Sequence, residues 1–181
     1  MKESSFLNPA KAVAVMQLSE GMHVADFGAG SGFFTRAAAR AVGPSGVVWA
    51  VDVHQTLLSR IKNLSLAEGL SHVEGVHGDL EHPGGSHLPA ASFDLVIAAN
   101  LFWSLERKSV VVDEIYRVLK KNGRALVIDW QDSFGGMGPH PDHVMSQEKT
   151  LTLFEAGGFA SAEAVPAGAY HWGFVVRKKA K

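Results

Sequence analysis

The chain contains no cysteine. Within these 181 residues, this absence excludes disulfide bonds, thiolate metal sites and cysteine nucleophiles, and it fits a reducing compartment. No apolar run approaches the ~20 residues that a membrane-spanning helix needs. Residues 1–5 also lack the charged and then apolar pattern of a secretory signal. We therefore expect a cytoplasmic protein with no membrane partner.

An excess of charge of either sign is also missing, because 17 lysines and arginines face 18 aspartates and glutamates. Nucleic-acid binders usually carry a basic excess or stripe, and the only basic cluster is the tail after residue 176, which we interpret as a solvated chain end. Nine histidines are present, but His72, His77, His82 and His87 fall on a strand and a glycine-proline loop, where they point in changing directions. We expect no nucleic-acid partner and no metal site.

Short runs rich in valine and isoleucine alternate with longer segments whose apolar residues recur three and four apart. The predicted strands are 22–27, 47–52, 73–78, 93–98, 124–129, 159–165 and 170–177. The predicted helices are 9–18, 33–42, one that follows Asp52 and stops at Gly69, one that Ser104 caps and Asn122-Gly123 ends, and one from Ser146 to Ala156.

This alternation predicts an α/β fold, because parallel neighbouring strands need crossover connections that place helices on both faces of the sheet. Residues 166–169 are too short a connection for a helical crossover, so the last two strands must pair antiparallel. The expected architecture has three layers and a mostly parallel seven-stranded sheet with an antiparallel C-terminal hairpin strand. No repeat or linker divides the chain, and we expect a single domain over residues 1–181.

The strongest local signal is Asp-Phe-Gly-Ala-Gly-Ser-Gly at residues 26–32, between the first predicted strand and the helix that follows it. Glycines at this place let the chain turn sharply and let a ligand approach the backbone. Dinucleotide enzymes prefer Gly-x-Gly-x-x-Gly, but here Phe33 takes the place of the last glycine. Asp26 near the turn suits a ligand that bears an ammonium group and no phosphate. Alternatively, Asp26 pairs with a helix end.

Asp52 ends the second predicted strand, twenty residues after Gly32. A carboxylate at this spacing accepts hydrogen bonds from both hydroxyls of a ribose in nucleoside-binding units. The alternative is that Asp52 caps the next helix. The glycine turn and Asp52 together predict a nucleoside-containing ligand.

These features resemble class I S-adenosylmethionine-dependent methyltransferases. Residues 26–32 resemble the first motif of that family, 51–53 its ribose motif, 78–80 its adenine motif and 93–100 its fourth strand and exit. The resemblance implies a Rossmann-like three-layer sandwich with S-adenosylmethionine as cofactor. Asp79 is otherwise an ordinary strand-end turn residue. The implied cofactor-binding residues are Asp26, Gly28, Ala29, Gly30, Gly32, Asp52, Val53, Asp79, Leu80, Asn100 and Leu101.

Within that family, the chain resembles the small branch related to quinone and arsenite methyltransferases, on the basis of 128–130, 137–139 and a serine-capped helix. It departs from the arsenite enzymes, whose chemistry requires cysteine. It also lacks the Asn-Pro-Pro-Tyr clamp of enzymes that methylate amide or base nitrogens, and has Asn-Leu-Phe-Trp at 100–103 instead. We expect a small-molecule acceptor, and the sequence does not identify it.

A general base is needed only if the acceptor must first lose a proton. The candidates are Asp129, at the carboxyl end of the fifth predicted strand, and His143, in the loop after it, although His143 also fits an exposed turn. The glycine- and proline-rich loop 131–145 is predicted to cover the acceptor pocket beside Asn100 and Asp129. Phe102, Trp103 and Trp130 fit core packing and an apolar acceptor pocket equally well.

Two other functions remain open at the level of sequence. A non-catalytic S-adenosylmethionine-binding regulatory or partner subunit would keep the glycine turn and Asp52 but have a blocked acceptor pocket. A nicotinamide oxidoreductase is disfavoured by the glycine spacing and by Asp26. We expect a monomer or a homodimer.

Overall fold

The computed structural model describes residues 6–179, in which seven strands form one sheet. The strands are β1 (His23–Phe27), β2 (Val47–Asp52), β3 (Val73–His77), β4 (Phe93–Ala99), β5 (Leu119–Trp130), β6 (Phe159–Ala164) and β7 (His171–Lys178). The helices are α1 (Pro9–Val15), α2 (Phe33–Val42), α3 (Gln55–Ala67), α4 (Lys108–Val118) and α5 (Gln147–Ala156). Short 3-10 turns cover Phe102–Ser104 and Pro141–His143.

The spatial order of the strands is β3-β2-β1-β4-β5-β7-β6, with the first five parallel to one another. β7 lies antiparallel between β5 and β6, as the short 166–169 connection predicts. The order reverses at β1, and β1 and β4 are neighbours there. In open α/β sheets, ligands bind beyond the carboxyl ends of the strands at such a reversal.

Two apolar cores lie on opposite faces of the sheet, and together with it they form the predicted three layers. One core contains residues of α1, α2 and α3, and the other contains residues of α4 and α5. Successive residues of β5 alternate between them, because side chains along a strand point to opposite faces: Leu126 and Ile128 join the first core, and Val127 joins the second. The predicted fold class is confirmed.

Several helix ends have local causes. The Asn8 side chain accepts a hydrogen bond from the Lys11 backbone at the start of α1. Ser146 caps α5 in the same way, as predicted, by accepting from the Lys149 backbone at 3.2 Å. The predicted end of α1 at Leu18 is wrong. The helix stops at Val15, because Gln17 takes a positive φ of 48° that no helix residue can keep.

Two predicted limits of α4 are also wrong. Ser104 does not cap the helix, because its hydroxyl donates to the Leu101 carbonyl within a 3-10 turn. α4 instead begins at Lys108, and the carboxylate of Glu81 accepts hydrogen bonds from the backbone N–H groups of Glu106 and Arg107 just before it.

At its other end, α4 stops at Val118, and Asn122-Gly123 lies inside β5 rather than after the helix. Asn122 has the expected left-handed geometry, with φ 66°, but in an irregular stretch of strand. The pairing of β4 with β5 breaks there and resumes at Leu95 and Arg124.

In residues 6–179, no helix combines the length and the hydropathy of a membrane span.

Candidate functional site

The glycine turn connects β1 to α2 at the carboxyl edge of the sheet. Gly28 and Gly32 have positive φ angles and no room for a side chain. A Cβ at Gly28 would lie 2.8 Å from Leu101 Cδ1, and one at Gly32 would lie 2.6 Å from Ile61 Cγ1. Gly30 differs, since a Cβ there would meet only the Gly28 carbonyl oxygen, at 3.8 Å. Its α-carbon therefore faces open space, which a side chain would fill.

Asp52 lies at the end of β2, with only 7% of its surface exposed. Its Oδ2 accepts a hydrogen bond of 2.9 Å from the Gly30 backbone N–H. Its Oδ1 accepts one of 2.9 Å from the His54 backbone and lies 3.0 Å from His54 Nδ1. An ionised carboxylate offers about four acceptor positions, so room remains for a ligand hydroxyl. The cap of α3 is His54, not Asp52.

A first cavity of about 450 Å³ opens beside Asp52 at this edge of the sheet. Eight of the eleven predicted cofactor-binding residues line it: Gly28, Gly30, Asp52, Val53, Asp79, Leu80, Asn100 and Leu101. The lining also includes His54, Leu57 and Glu81, which no motif indicates, and Trp103, which the sequence indicated for the core or the acceptor pocket instead. His54 and Glu81 directly follow the motifs at 51–53 and 78–80, which was the available signal for these two.

The remaining three predicted cofactor-binding residues are placed differently. Ala29 lines a second cavity, described below, while Asp26 and Gly32 line neither. Asp26 is buried behind the turn and accepts a 2.6 Å hydrogen bond from the Thr35 hydroxyl. Burial raises the pKa of Asp26 to about 7, and the nearby charge of Asp52 acts in the same direction, against the hydrogen bonds from Thr35. A contact between Asp26 and an ammonium group stays a prediction.

The second cavity, of about 520 Å³, meets the first at Gly28, Gly30 and Asn100. Among the described residues, its lining contains no aspartate, glutamate, lysine or arginine. Most of its wall is apolar, and much of it is aromatic. The larger apolar residues are Phe6, Leu7, Phe33, Phe34 and Trp130.

The polar residues of the lining are Ser31, Asn100 and His171, and His171, the first residue of β7, lies among the aromatic ones. It pairs across the strands with Trp130, and the two ring centroids are 4.3 Å apart. His171 is only 7% exposed, and neither of its ring nitrogens has a hydrogen-bond partner within the part of the chain that the structure describes. Burial lowers the pKa of His171. No motif indicates this residue, although an antiparallel last strand necessarily begins at the carboxyl edge of the parallel ones.

Asp129 lines neither cavity and is fully buried. Its Oδ2 accepts a hydrogen bond from the Trp103 backbone at 3.1 Å, and its Oδ1 accepts one from the Trp130 backbone at 2.8 Å. Burial raises its pKa to about 6, against these hydrogen bonds. In the strand register Asp129 pairs with Trp172, so its side chain points to the opposite face from Trp130 and His171.

His143 is exposed in the 3-10 turn Pro141–His143 and lines neither cavity. No other residue of the loop 131–145 lines a cavity either, so the expected cover over the acceptor pocket is not seen. The loop instead packs against Tyr170 and Trp130. The ring centroids of Phe134 and Tyr170 are 4.9 Å apart, and Gly138 adjoins the Trp130 indole. The catalytic roles of Asp129 and His143 stay predictions.

The three aromatic residues that the sequence offered for the core or an acceptor pocket lie in three different places. Phe102 is fully buried in the core on the α4 side, whereas Trp103 lines the first cavity and Trp130 the second. Within residues 6–179, no three histidine, aspartate or glutamate side chains are grouped to hold a metal ion.

A family model described as a methyltransferase domain matches residues 25–127, which contain the glycine turn, Asp52 and the first five strands nearly complete. The chain belongs to this family. The match confirms the class I S-adenosylmethionine-dependent methyltransferase family that the motifs at 26–32, 51–53 and 78–80 indicate.

Curated methyltransferases show the same relationship. An arsenite methyltransferase of Halobacterium salinarum is 34% identical over 152 residues, which are 83% of this chain and 36% of that protein. A ubiquinone/menaquinone biosynthesis C-methyltransferase of Burkholderia multivorans is 30% identical over 121 residues, 67% of this chain and 48% of that protein. The chain thus spans between a third and a half of the length of these relatives.

Among solved structures, a SAM-dependent methyltransferase from Aquifex aeolicus is similar along nearly its whole length. The TM-score is 0.85 at 27% sequence identity, and the match covers 97% of this chain and 92% of that chain. This similarity agrees with the Rossmann-like sandwich predicted from the sequence.

S-adenosylmethionine is the cofactor that this methyltransferase family implies, and the first cavity fits it. The open space at Gly30 is where a glycine lets a ligand approach the backbone. The spare acceptor positions of Asp52 suit ribose hydroxyls, and Asp79 lies at the rim of the same cavity.

Proposed function

We propose that this chain is a methyltransferase that transfers a methyl group from S-adenosylmethionine to a small-molecule acceptor in the second cavity. The observation that carries this proposal is the meeting of the two cavities at Gly28, Gly30 and Asn100. A cofactor held beside Asp52 and reaching this junction would present its reactive end to whatever occupies the second cavity.

Different residues at the first cavity and behind the glycine turn would hold different parts of the cofactor. Asp52 would accept hydrogen bonds from the ribose hydroxyls, and Asp79 would accept one from the adenine amino group. Leu80 and Leu101 are buried apolar residues of the wall and would pack against the adenosine. Asp26, buried behind the turn, would attract the ammonium group through water.

S-adenosylmethionine supplies a methyl group that its sulfonium already activates towards nucleophiles. The protein's own contribution is then mainly to orient the acceptor and exclude water. Holding two reactants in near-attack geometry is worth roughly 7–11 kcal/mol of a barrier. The aromatic wall formed by Phe33, Phe34 and Trp130 is suited to both tasks.

Asp129 is better suited to positioning than to proton transfer. Each of its carboxylate oxygens holds a backbone N–H group, of Trp103 in one cavity wall and of Trp130 in the other. The chain's lack of cysteine argues against arsenite as the acceptor. A non-catalytic binding subunit would need a blocked acceptor pocket, and the open second cavity favours an enzyme.

The test is ligand binding followed by transfer of label. Ligand at a hundred times its dissociation constant adds about 2.7 kcal/mol of stability, which for a domain of this size is a melting shift of roughly 5–10 °C. S-adenosylmethionine and its demethylated product should give this shift, and NAD should not. Methyl-labelled cofactor incubated with a fractionated metabolite extract should then give labelled product. A shift with NAD alone would overturn the proposal. Monomer or homodimer and cytoplasmic location stay predictions.

A further inference from the structure

We propose, building on the proposed methyl transfer, that the second cavity takes a flat, uncharged aromatic compound with a phenolic hydroxyl, and that His171 accepts the proton of that hydroxyl. The two observations behind this proposal are an unpartnered buried imidazole and a cavity wall without charge.

The imidazole of His171 is the first observation. It is nine-tenths buried, and neither Nδ1 nor Nε2 has a hydrogen-bond partner in residues 6–179. Buried polar groups are almost always hydrogen-bonded, and those that are not often have a catalytic or ligand-binding role. His171 lines the second cavity, and both ring nitrogens are shielded from solvent, so an acceptor in that cavity supplies the missing partner once the imidazole turns a nitrogen towards it.

The uncharged wall is the second observation. An ammonium or carboxylate acceptor would lose its hydration in this cavity and find no oppositely charged side chain in the lining, which is costly. A neutral acceptor with one polar hydrogen avoids this cost. A neutral imidazole has one ring nitrogen that accepts a hydrogen bond, which matches a single O–H donor.

The aromatic wall accounts for the flat body of the acceptor. The Trp130 ring lies against the His171 ring, with centroids 4.3 Å apart and planes inclined by 37°. Phe33 and Phe34 line the same cavity, and Phe33, the first residue of α2, is 63% exposed. Aromatic rings prefer offset or edge-on contact with other rings, so these side chains suit a planar aromatic molecule.

The reaction balances without any further reagent. The hydroxyl oxygen of the acceptor forms a bond to the methyl carbon as the methyl–sulfur bond breaks, and the electron pair of that bond stays on sulfur. The O–H proton passes to the free ring nitrogen of His171. The products are a methyl ether, the neutral thioether and an imidazolium, which returns its proton to solvent when the product leaves.

The surroundings of His171 favour this role. The described residues lining the cavity add no charged group, Tyr170 is the titratable neighbour in sequence, and Asp129 on the adjacent strand points to the other face. Burial lowers the pKa of His171, which favours the neutral imidazole, the form that can accept a proton.

The binding test uses 2-naphthol as the phenolic probe and 2-methoxynaphthalene as the matched probe without a hydroxyl. Both are titrated calorimetrically into protein saturated with S-adenosylhomocysteine. We expect naphthol to bind at least tenfold more tightly than its methyl ether, and the nitrogen resonances of His171 to shift with naphthol only. His171→Phe keeps a ring in the wall and should abolish the preference. His23→Gln, an exposed histidine at the start of β1, is the control and should keep it.

The kinetic test uses His171→Gln, which retains a hydrogen-bond acceptor but cannot take up a proton. Naphthol binding should survive in this variant, while the rate of naphthol methylation falls at least tenfold. That rate should also rise with pH until naphthol itself is ionised. Equal binding of the two probes, no naphthol binding, or an unchanged preference in His171→Phe would overturn the inference. Binding of S-adenosylhomocysteine is measured first. If it fails, the proposed function fails, whereas normal cofactor binding with any of those outcomes removes only the role of His171.

Discussion

The backbone N–H of Gly30 donates a hydrogen bond of 2.9 Å to Asp52 Oδ2, across 22 positions of sequence. This bond joins the two features that predict a nucleoside site, the glycine turn and the acid at the end of β2. Asp52 therefore has a structural task in addition to the ligand contact that its spacing predicts. Its substitution must be interpreted with both tasks in view.

Asp52→Ala should lower the affinity for S-adenosylmethionine at least tenfold, because a charged acceptor for the ribose hydroxyls is lost, at about 1.5–3 kcal/mol per hydrogen bond. The variant should also lose about 1–3 kcal/mol of unfolding free energy, because the N–H groups of Gly30 and His54 lose their acceptor. Calorimetric titration and denaturant unfolding measure the two effects. Asp52→Asn keeps one acceptor oxygen and should be intermediate in both. Unchanged cofactor affinity in a folded Asp52→Ala variant would remove Asp52 from the site.

Most of the fold and much of the first cavity could be predicted from the sequence. Strand and helix periodicity predicted all seven strands, and the short 166–169 connection correctly predicted the antiparallel pairing of β7. The motif spacing selected eight residues that the structure brings into the first cavity. These signals are patterns along the sequence, and none of them requires knowledge of which distant segments touch.

The features that sequence reasoning missed depend on distant contacts. The start of α4 depends on Glu81, whose carboxylate accepts a hydrogen bond from the backbone N–H of Glu106, 25 positions away in the sequence. The direction of Asp129 depends on the register of β5 with β7, and the same register places His171 beside Trp130. No motif marks His171 among nine histidines, so only the topology of the sheet could have selected it.

Asp26 predicts an unusual dependence of stability on pH. Its pKa is raised from an ordinary value near 3.8 to about 7 by folding, so the folded state keeps a proton that the unfolded chain has lost. The free energy of unfolding should therefore fall as pH rises from 4 to 7, by up to about 1.4 kcal/mol per pH unit, and then level off. Asp129, with a pKa of about 6, adds to this fall below pH 6. Asp94 and Glu114, whose pKa values are lowered, act oppositely in more acidic solution.

Urea unfolding at several pH values measures this effect. Asp26→Asn keeps an acceptor for the Thr35 hydroxyl but cannot ionise, so its stability curve should lose most of the fall between pH 5 and 7. If the free energies of unfolding of wild type and variant change in parallel over that pH range, Asp26 does not keep its proton on folding. Cofactor binding supplies a second measurement. If the Asp26 carboxylate attracts the ammonium group, affinity should rise with pH up to about 7 in the wild type and stay flat in Asp26→Asn.

Asp129 should behave as a positioning residue. Asp129→Ala leaves the N–H groups of Trp103 and Trp130 without their acceptor in a buried setting, and we expect a loss of about 1–3 kcal/mol of unfolding free energy. Asp113→Ala, at an exposed position of α4, is the control and should stay within about 0.5 kcal/mol of the wild type. Thermal and denaturant unfolding measure the difference. An Asp129→Ala variant of normal stability that has lost methyl transfer would instead support the catalytic role predicted from the sequence.

The loop 131–145 offers a test that separates an enzyme from a cofactor-binding subunit, because Gly138 in this loop adjoins Trp130, which lines the second cavity. A Cβ at Gly138 would lie 2.8 Å from Trp130 Cε3, so Gly138→Ala should displace the indole into or away from the acceptor cavity. Gly135→Ala is a matched control, since Gly135 also has a positive φ but nothing lies within 4 Å of its Cβ position. Both variants carry backbone strain, and they differ in the push on Trp130.

We expect both glycine variants to bind S-adenosylmethionine within about threefold of the wild type, under 1 kcal/mol, because neither residue lines the first cavity. Turnover should fall at least tenfold in Gly138→Ala only, since near-attack geometry in the second cavity depends on the position of Trp130. The assay is transfer of labelled methyl to the acceptor fraction that the wild type methylates. Equal turnover in the two variants would show that Trp130 does not shape the acceptor site. Absence of labelled product from every fraction, with normal cofactor binding in the wild type, would favour the non-catalytic subunit, because an intact first cavity alone is what such a subunit would retain.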